Sequence, residues 1–244
     1  MPHNPKRFWL TATDTDAGKT TIMCALLSAL NQAHCPSIGF KPISSGCDGQ
    51  LHNSDTLALM AENAKDLPHN TLNPWCFEPA IAPHIAAARS DQTLSASTIA
   101  AYLKTQSAQH PDHTVLAEGA GGACIPLNTT ENTLDLTQIL EWPIILVIGL
   151  KLGALNHAAL TYHALTTCKL NIAGWITNQI APMDAINENL ETLQTLIQAP
   201  CLGHIPYFKS TPTPQDCQPY LNLAPLCITS DHTSVTTHET NSMN

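Results

Sequence analysis

The chain runs to 244 residues with a formal net charge of −9 and only ten Lys and Arg. That balance opposes a nucleic-acid surface or an anionic membrane, since both need a basic patch on the protein. The length buries a full core, as one large α/β domain or two small ones.

No Gly/Ser linker, charge block or repeat divides residues 1 to 210, so a single domain over 1–225 is expected, followed by a polar tail, 226–244, expected to be disordered. No run reaches membrane-spanning length, and Met-Pro-His-Asn-Pro-Lys-Arg leads into a strand instead of the apolar core of a signal peptide. Nine cysteines without a Cys-x-x-Cys read as reduced, small buried thiols in a cytoplasmic protein. Among twelve histidines, His110 and His113 flank Pro-Asp, while His157 and His163 lie six apart on a helix and so on different faces; a histidine metal site is not expected.

The first apolar run, 7–12, ends in Leu10-Thr-Ala-Thr-Asp-Thr-Asp-Ala-Gly-Lys-Thr-Thr21 and enters a helical pattern over 19–34. This is the layout of a phosphate-binding loop. Backbone N–H groups of the loop and of the helix start wrap the phosphates, Lys19 brings positive charge, and the Thr20 hydroxyl binds Mg²⁺. The spacing departs from the usual Gly, four residues, Gly-Lys-Thr, because Thr13 holds the first position of that pattern and Ala12 precedes it.

Strand two, 37–41, runs into Lys41-Pro-Ile-Ser-Ser-Gly46, a turn that aims a second cation and a hydroxyl at the same crevice. A helix over 54–64 starts at Asn53-Ser-Asp55; Asn53 or Ser54 serves as its N-cap and Asp55 as a first-turn acid, so Asp55 becomes a metal ligand only by association with the other motifs. Residues 71–92, with three prolines and two aromatics, read as a structured excursion that packs on the core near the site mouth, not as a sheet strand.

After a helix over 96–109, strand 114–118 terminates in Glu118-Gly-Ala-Gly-Gly-Ala123. A carboxylate there, with a loop of Gly and Ala behind it, suits Mg²⁺ and close approach of backbone to phosphate. A helix over 133–140 precedes strand 143–149, which leads through Lys151-Leu-Gly153-Ala-Leu-Asn-His157 into a helix over 154–168, whose free N–H groups suit a carboxylate or phosphate. Strand 171–177 ends at Asn178, which pairs with the edge of adenine or caps a turn; a helix over 184–198 and a strand over 201–205 follow. Such alternation predicts a single-domain α/β fold of the P-loop NTPase type, a mostly parallel sheet with helices on both faces and ligands at the carboxyl ends of the strands.

In this order and near this spacing, Thr13-Asp-Thr-Asp-Ala-Gly-Lys-Thr20, Lys41-Pro-Ile-Ser-Ser-Gly46, Asn53-Ser-Asp55, Glu118-Gly-Ala-Gly-Gly122, Lys151–His157 and Asn178 resemble the dethiobiotin synthetases over roughly residues 5–210. That family also has five residues between its first loop glycine and Gly-Lys-Thr, which makes Ala12 the departure and puts nucleotide affinity at issue.

The resemblance implies a cytoplasmic homodimeric ligase of biotin biosynthesis. Carbon dioxide adds to an amine of 7,8-diaminononanoate, ATP phosphorylates the resulting carbamate, and the second amine closes the ring with release of ADP and phosphate. It implies catalytic roles for Lys19, Lys41 and Thr15, and Mg²⁺ held by Thr20, Asp55 and Glu118. The implied nucleotide contacts are Asp16, Ala17, Gly18, Lys19, Thr20, Thr21, Asp55, Glu118, Gly119, Ala120, Gly121, Asn178, Gln179, Pro206, Tyr207 and Phe208. Ser45 would position the amine or carbamate, with the turn at Lys151, Gly153, Ala154, Leu155 and Asn156 receiving the substrate carboxylate from the second subunit. Asp16 stands where Glu is frequent in the family, and the helix after Pro182 carries Asn189 and Leu190 where relatives place a Tyr near that carboxylate.

Two rivals are weaker. Amidation synthetases of the same loop class, such as those acting on cobyrinate, carry a glutaminase domain with a Cys-His pair, which this chain lacks. Partitioning-type switch ATPases carry a Lys five positions before the loop lysine, and here that position is Asp14.

Overall fold

A computed structural model describes residues 6–226 of the chain. In chain order its first half contains β1 (Arg7–Ala12), α1 (Lys19–Gln32), β2 (Ser37–Phe40), β3 (Ile43–Ser45), α2 (Ser54–Glu62), α3 (His69–Leu72), β4 (Trp75–Phe77), α4 (Pro83–Arg89) and α5 (Ala96–Ala108). The second half contains β5 (Thr114–Glu118), α6 (Thr133–Leu140), β6 (Ile144–Leu150), α7 (Ala154–Thr167), β7 (Ile172–Gln179), α8 (Ile186–Leu196), β8 (Cys201–Ile205) and α9 (Pro214–Cys217).

Six strands form one sheet in the order β2-β5-β1-β6-β7-β8, and every pairing in it is parallel. Continuous apolar runs explain the arrangement: all seven residues of β6 are buried, as a strand covered on both faces requires. Alternation along β1 divides the interior. Phe8, Leu10 and Ala12 pack with Ile22, Met23, Leu26, Leu27 and Leu30 of α1, whereas Trp9 joins the core formed by residues of α4, α5 and α6. Each of those fully buried α1 side chains contributes about 1.5–3 kcal/mol relative to exposure.

Local signals set the helix starts. Asn53 caps α2 by accepting from the N–H groups of Asp55 and Thr56, and Asn132 with Asp135 forms a capping box on α6. The six expected strands and six expected helices are present, with ends shifted by a few residues.

The segment 71–92 departs from expectation. It contributes β4, which pairs in parallel with β3 as a separate two-stranded sheet (Ile43↔Trp75, Ser44↔Cys76, Ser45↔Phe77), and then α4, whose Pro83 stands in the first turn, where no backbone donor is needed. Three-residue strands carry too little periodicity to announce themselves.

The cysteines also correct the reading. Cys47 and Cys76 form a disulfide with a Cα–Cα distance of 6.2 Å, because the β3–β4 register brings together two residues 29 apart in sequence. Of the others described, Cys24, Cys35 and Cys217 are buried but Cys124 is exposed. The cysteines therefore give no argument for a reducing compartment. Leu226 packs into the core beside β1 and α1, and the rest of the tail expected to be disordered, 227–244, lies outside the described residues.

Candidate active site

Five of the six main strands deliver polar residues to one end of the sheet, the carboxyl end, where parallel sheets bind ligands. β1 leads into the phosphate loop, β2 into Lys41, β5 ends on Glu118, β6 is followed by Lys151, and β7 ends at Asn178 and Gln179. A cavity of about 320 Å³ lies among them, lined by Thr15, Asp16, Gly18, Lys19, Thr20, Thr21, Lys41, Asp55 and Gly121.

The phosphate loop is braced from three sides. Thr13 donates its N–H to the Val147 carbonyl (3.0 Å), and the Thr13 hydroxyl accepts from the Gly149 N–H (3.3 Å). Gly18, the N-cap of α1, is left-handed at φ 83°, and a Cβ there would collide with the Asn178 amide, which donates to the Ala17 carbonyl (3.0 Å). Asn178 thus acts as a strut under the loop, a use that reading it as an adenine contact or turn cap had not included. Ala12 is the last residue of β1, fully buried, paired beside Val147 and without positive φ, so its methyl lies in ordinary strand geometry and needs no glycine.

Lys19 is buried, and its ammonium donates to the carbonyls of Gly121 and Asp14. Burial, the largest influence, lowers its pKa from the ordinary lysine value, partly opposed by Glu118. Lys41 is equally buried but sits between two carboxylates, 2.6 Å from Asp55 Oδ2 and 2.7 Å from Glu118 Oε1. Burial pulls its pKa down, and Glu118 and Asp55 together carry it above the ordinary value. Glu118 is fully buried; its Oε1 also accepts from the Thr20 hydroxyl (2.9 Å), while its Oε2 meets no hydrogen-bond partner among the described residues. Thr20, Asp55, Glu118 and Lys41 therefore converge as expected. The partner that makes a fully buried Glu118 tolerable is Lys41, a contact only the β2–β5 adjacency reveals.

A second cavity of about 490 Å³ opens beside the first, lined by Asp16, Gly18, Thr21, Asn178, Gln179, Ile180 and residues 206–212. Pro206, Tyr207 and Phe208 are in this lining, and Gln179 ties the segment to β7 by accepting from the Tyr207 N–H (3.2 Å). Ala17, Glu118, Gly119, Ala120 and Ser45 line neither cavity, Ala17 and Glu118 being fully buried, nor does the turn at Lys151 to Asn156. Lys151 instead pairs with Asp14 of the phosphate loop (3.1 Å), which holds the Asp14 carboxyl below its ordinary pKa, and Gly153 caps α7 in open space at φ 91°. Asp14 entered the sequence reading only as a position lacking lysine; its role as a cation's partner needed the fold.

Among the described residues, no group of three or more His, Cys, Asp or Glu side chains could hold a metal ion. No described helix is long and apolar enough to cross a membrane.

Residues 6–215 match the family model of an AAA domain. The ATP-dependent dethiobiotin synthetase of Cellvibrio japonicus is 40% identical over 225 residues, 91% of this chain and 97% of its own length. That of Salmonella typhi is 41% identical over 226 residues, 91% and 98% of the two chains. Among solved structures, the MinC:MinD cell division protein complex of Aquifex aeolicus aligns with a TM-score of 0.53 at 12% identity, covering 84% of this chain and 82% of that one. A ParA family ATPase from Chlorobium tepidum TLS gives 0.51 at 14% identity, covering 84% and 85%. At such identities the two structures speak for the fold alone.

Proposed function

The chain belongs to the ATP-dependent dethiobiotin synthetase family, and from that premise we propose how its own residues divide the work of closing the ring in biotin synthesis. The reaction consumes ATP and converts 7,8-diaminononanoate and carbon dioxide into dethiobiotin through a carbamate and its phosphorylated form, releasing ADP and phosphate. Phosphoryl transfer of this kind depends on positioning and on charge placed where charge develops. The observation that carries the assignment is the convergence of Lys19, Lys41, Thr20 and Asp55 on one cavity beside the phosphate loop, with the buried Glu118 behind it in contact with Lys41 and Thr20.

Lys19 and Lys41 stabilise the transferring phosphoryl group, and Thr15, exposed at the mouth of the same cavity, orients the carbamate. The neighbouring cavity takes the adenine and ribose, with Asn178, Gln179 and Pro206–Phe208 around them. The donor set fits Mg²⁺: Thr20, Asp55 and Glu118 offer only oxygen, and a buried carboxylate oxygen without a partner is what a hard cation completes. When bound, the ion neutralises phosphate charge.

A homodimer is supported by Leu152, 96% exposed in the turn expected to receive the substrate carboxylate, and Leu160, 62% exposed on α7, which leave apolar surface uncovered. A dependence on ATP favours the cytoplasm, where the Cys47–Cys76 bond would face a reducing thiol pool.

Diamine-dependent turnover tests the assignment. Phosphate release from ATP is expected only when 7,8-diaminononanoate and bicarbonate are both supplied, with a cyclic urea found by mass. Equal release without the diamine would overturn it and point to a nucleotide switch.

A further inference from the structure

Both backbone groups of Lys41 are tied to the segment that precedes β4. The Lys41 N–H donates to the Leu72 carbonyl (3.0 Å), and the Lys41 carbonyl accepts from the side-chain amide of Asn73. The other end of that amide, Oδ1, accepts from the Ser44 hydroxyl (2.6 Å), while the Asn73 N–H is held by the His69 carbonyl (2.8 Å). Asn73 is 2% exposed and lines neither active-site cavity.

We infer that Asn73 is a positioning residue for Lys41: it clamps the turn from Lys41 to Ser44 and thereby fixes where the catalytic ammonium stands. The chemistry calls for this residue type. A carbonyl can only accept, so an NH₂ must face Lys41; the remaining oxygen takes the Ser44 hydroxyl, which also lies 3.3 Å from the Cys47 and Cys76 sulfurs, and a short planar amide supplies both in one plane. Asp would offer no donor to the carbonyl, and an apolar residue would leave it unpaired inside the protein. Neither neighbour can replace it, because Pro42 has no N–H and the Trp75 N–H is already given to the Pro42 carbonyl (3.0 Å). Lys41 then spans from this clamp to Glu118 and Asp55, so a shift of its backbone moves the ammonium relative to the transferring phosphoryl group. Misplacement by about 1 Å can cost roughly a hundredfold in rate.

The inference rests on the assignment of Lys41 as a catalytic group, and the test separates the two. Diamine- and bicarbonate-dependent phosphate release and calorimetric ATP affinity are measured for the unsubstituted enzyme, Asn73→Ala, Lys41→Ala and the double variant. Asn73→Ala is expected to lower kcat about tenfold or more, with the ATP Kd within about twofold, and to cause less than about twofold further loss when added to Lys41→Ala. Equal losses in both backgrounds, or an ATP affinity that falls in step with kcat, would mean a merely structural residue and overturn the inference. If Lys41→Ala leaves turnover unchanged, both the inference and the assignment fail. Should Asn73→Ala not fold, Ser44→Ala decides: a lower kcat at unchanged ATP affinity supports the clamp, and an unchanged kcat overturns it.

Discussion

Lys19 and Lys41 enter one cavity from different parts of the fold, and their surroundings treat equal burial in opposite ways. In the phosphate loop, Lys19 touches only carbonyl oxygens, and burial leaves its pKa depressed. On the turn after β2, Lys41 contacts two carboxylates that raise its pKa despite the same burial. The first region holds a cation with no counter-ion in contact among the described residues, which suits an arriving anion. The second balances its charge internally and needs exact alignment more than added charge.

The largest break in this comparison is Lys41→Ala. It should lower diamine-dependent kcat by about 10²–10³-fold while the ATP Kd changes by no more than about threefold, measured by steady-state kinetics and calorimetry. A matching loss of ATP affinity would erase the division between the two regions. Glu118→Gln comes next: Mg²⁺ half-saturation should rise roughly tenfold, because the substitution removes the charge from the one fully buried carboxylate in the set. Unchanged Mg²⁺ dependence would remove Glu118 from the metal site.

The Cys47–Cys76 disulfide belongs to the Lys41 side. Replacing both cysteines with Ser should cost about 2–4 kcal/mol and lower Tm by on the order of 5–10 °C, with ATP affinity unchanged. Thiol titration of denatured protein should find two fewer thiols before reduction than after it.

Alkaline pH gives the smallest and most direct contrast. With its pKa raised, Lys41 contributes stability that is fully present below the ordinary lysine pKa and is lost as pH climbs through its own higher value. Lys19 has the opposite sign: the unfolded chain binds the extra proton, so the cost of burying its charge is relieved as pH rises through its depressed value. Thermal unfolding across the alkaline range should therefore fall less steeply in Lys41→Met than in the unsubstituted protein. Parallel curves would show that the ion pair adds nothing to stability.

What the sequence made legible follows from chemistry that is local along the chain. Each main strand is an apolar run, and β2, β5 and β6 are followed directly by Lys or Gly, so the sheet, its polar edge and most candidate ligands could be read directly. The small β3–β4 sheet could not be read, since three residues carry no period. Nor could any contact that depends on register: Lys41 with Glu118, Asp14 with Lys151, Cys47 with Cys76, and Asn73 with the Lys41 carbonyl. Asn73 precedes Pro74 and looks like turn chemistry, which conceals that both ends of its amide are engaged elsewhere. At Ala12 the structure answers only the backbone part of the question the sequence raised. Its place in a motif suggested a glycine requirement that its strand conformation does not impose.

The interlock between Gly18 and Asn178 bears on how fast nucleotide comes and goes. Because β7 holds the loop through Ala17, the entropy of ordering it is lost when the chain folds and not when ATP arrives. Association should then proceed without a slow conformational phase, and residence time should respond to position 178 more than the association rate does. A smaller side chain there would remove both the strut and one lining residue of the larger cavity, and should shorten each stay of the nucleotide, placing control of the off-rate on a strand that carries none of the phosphate ligands.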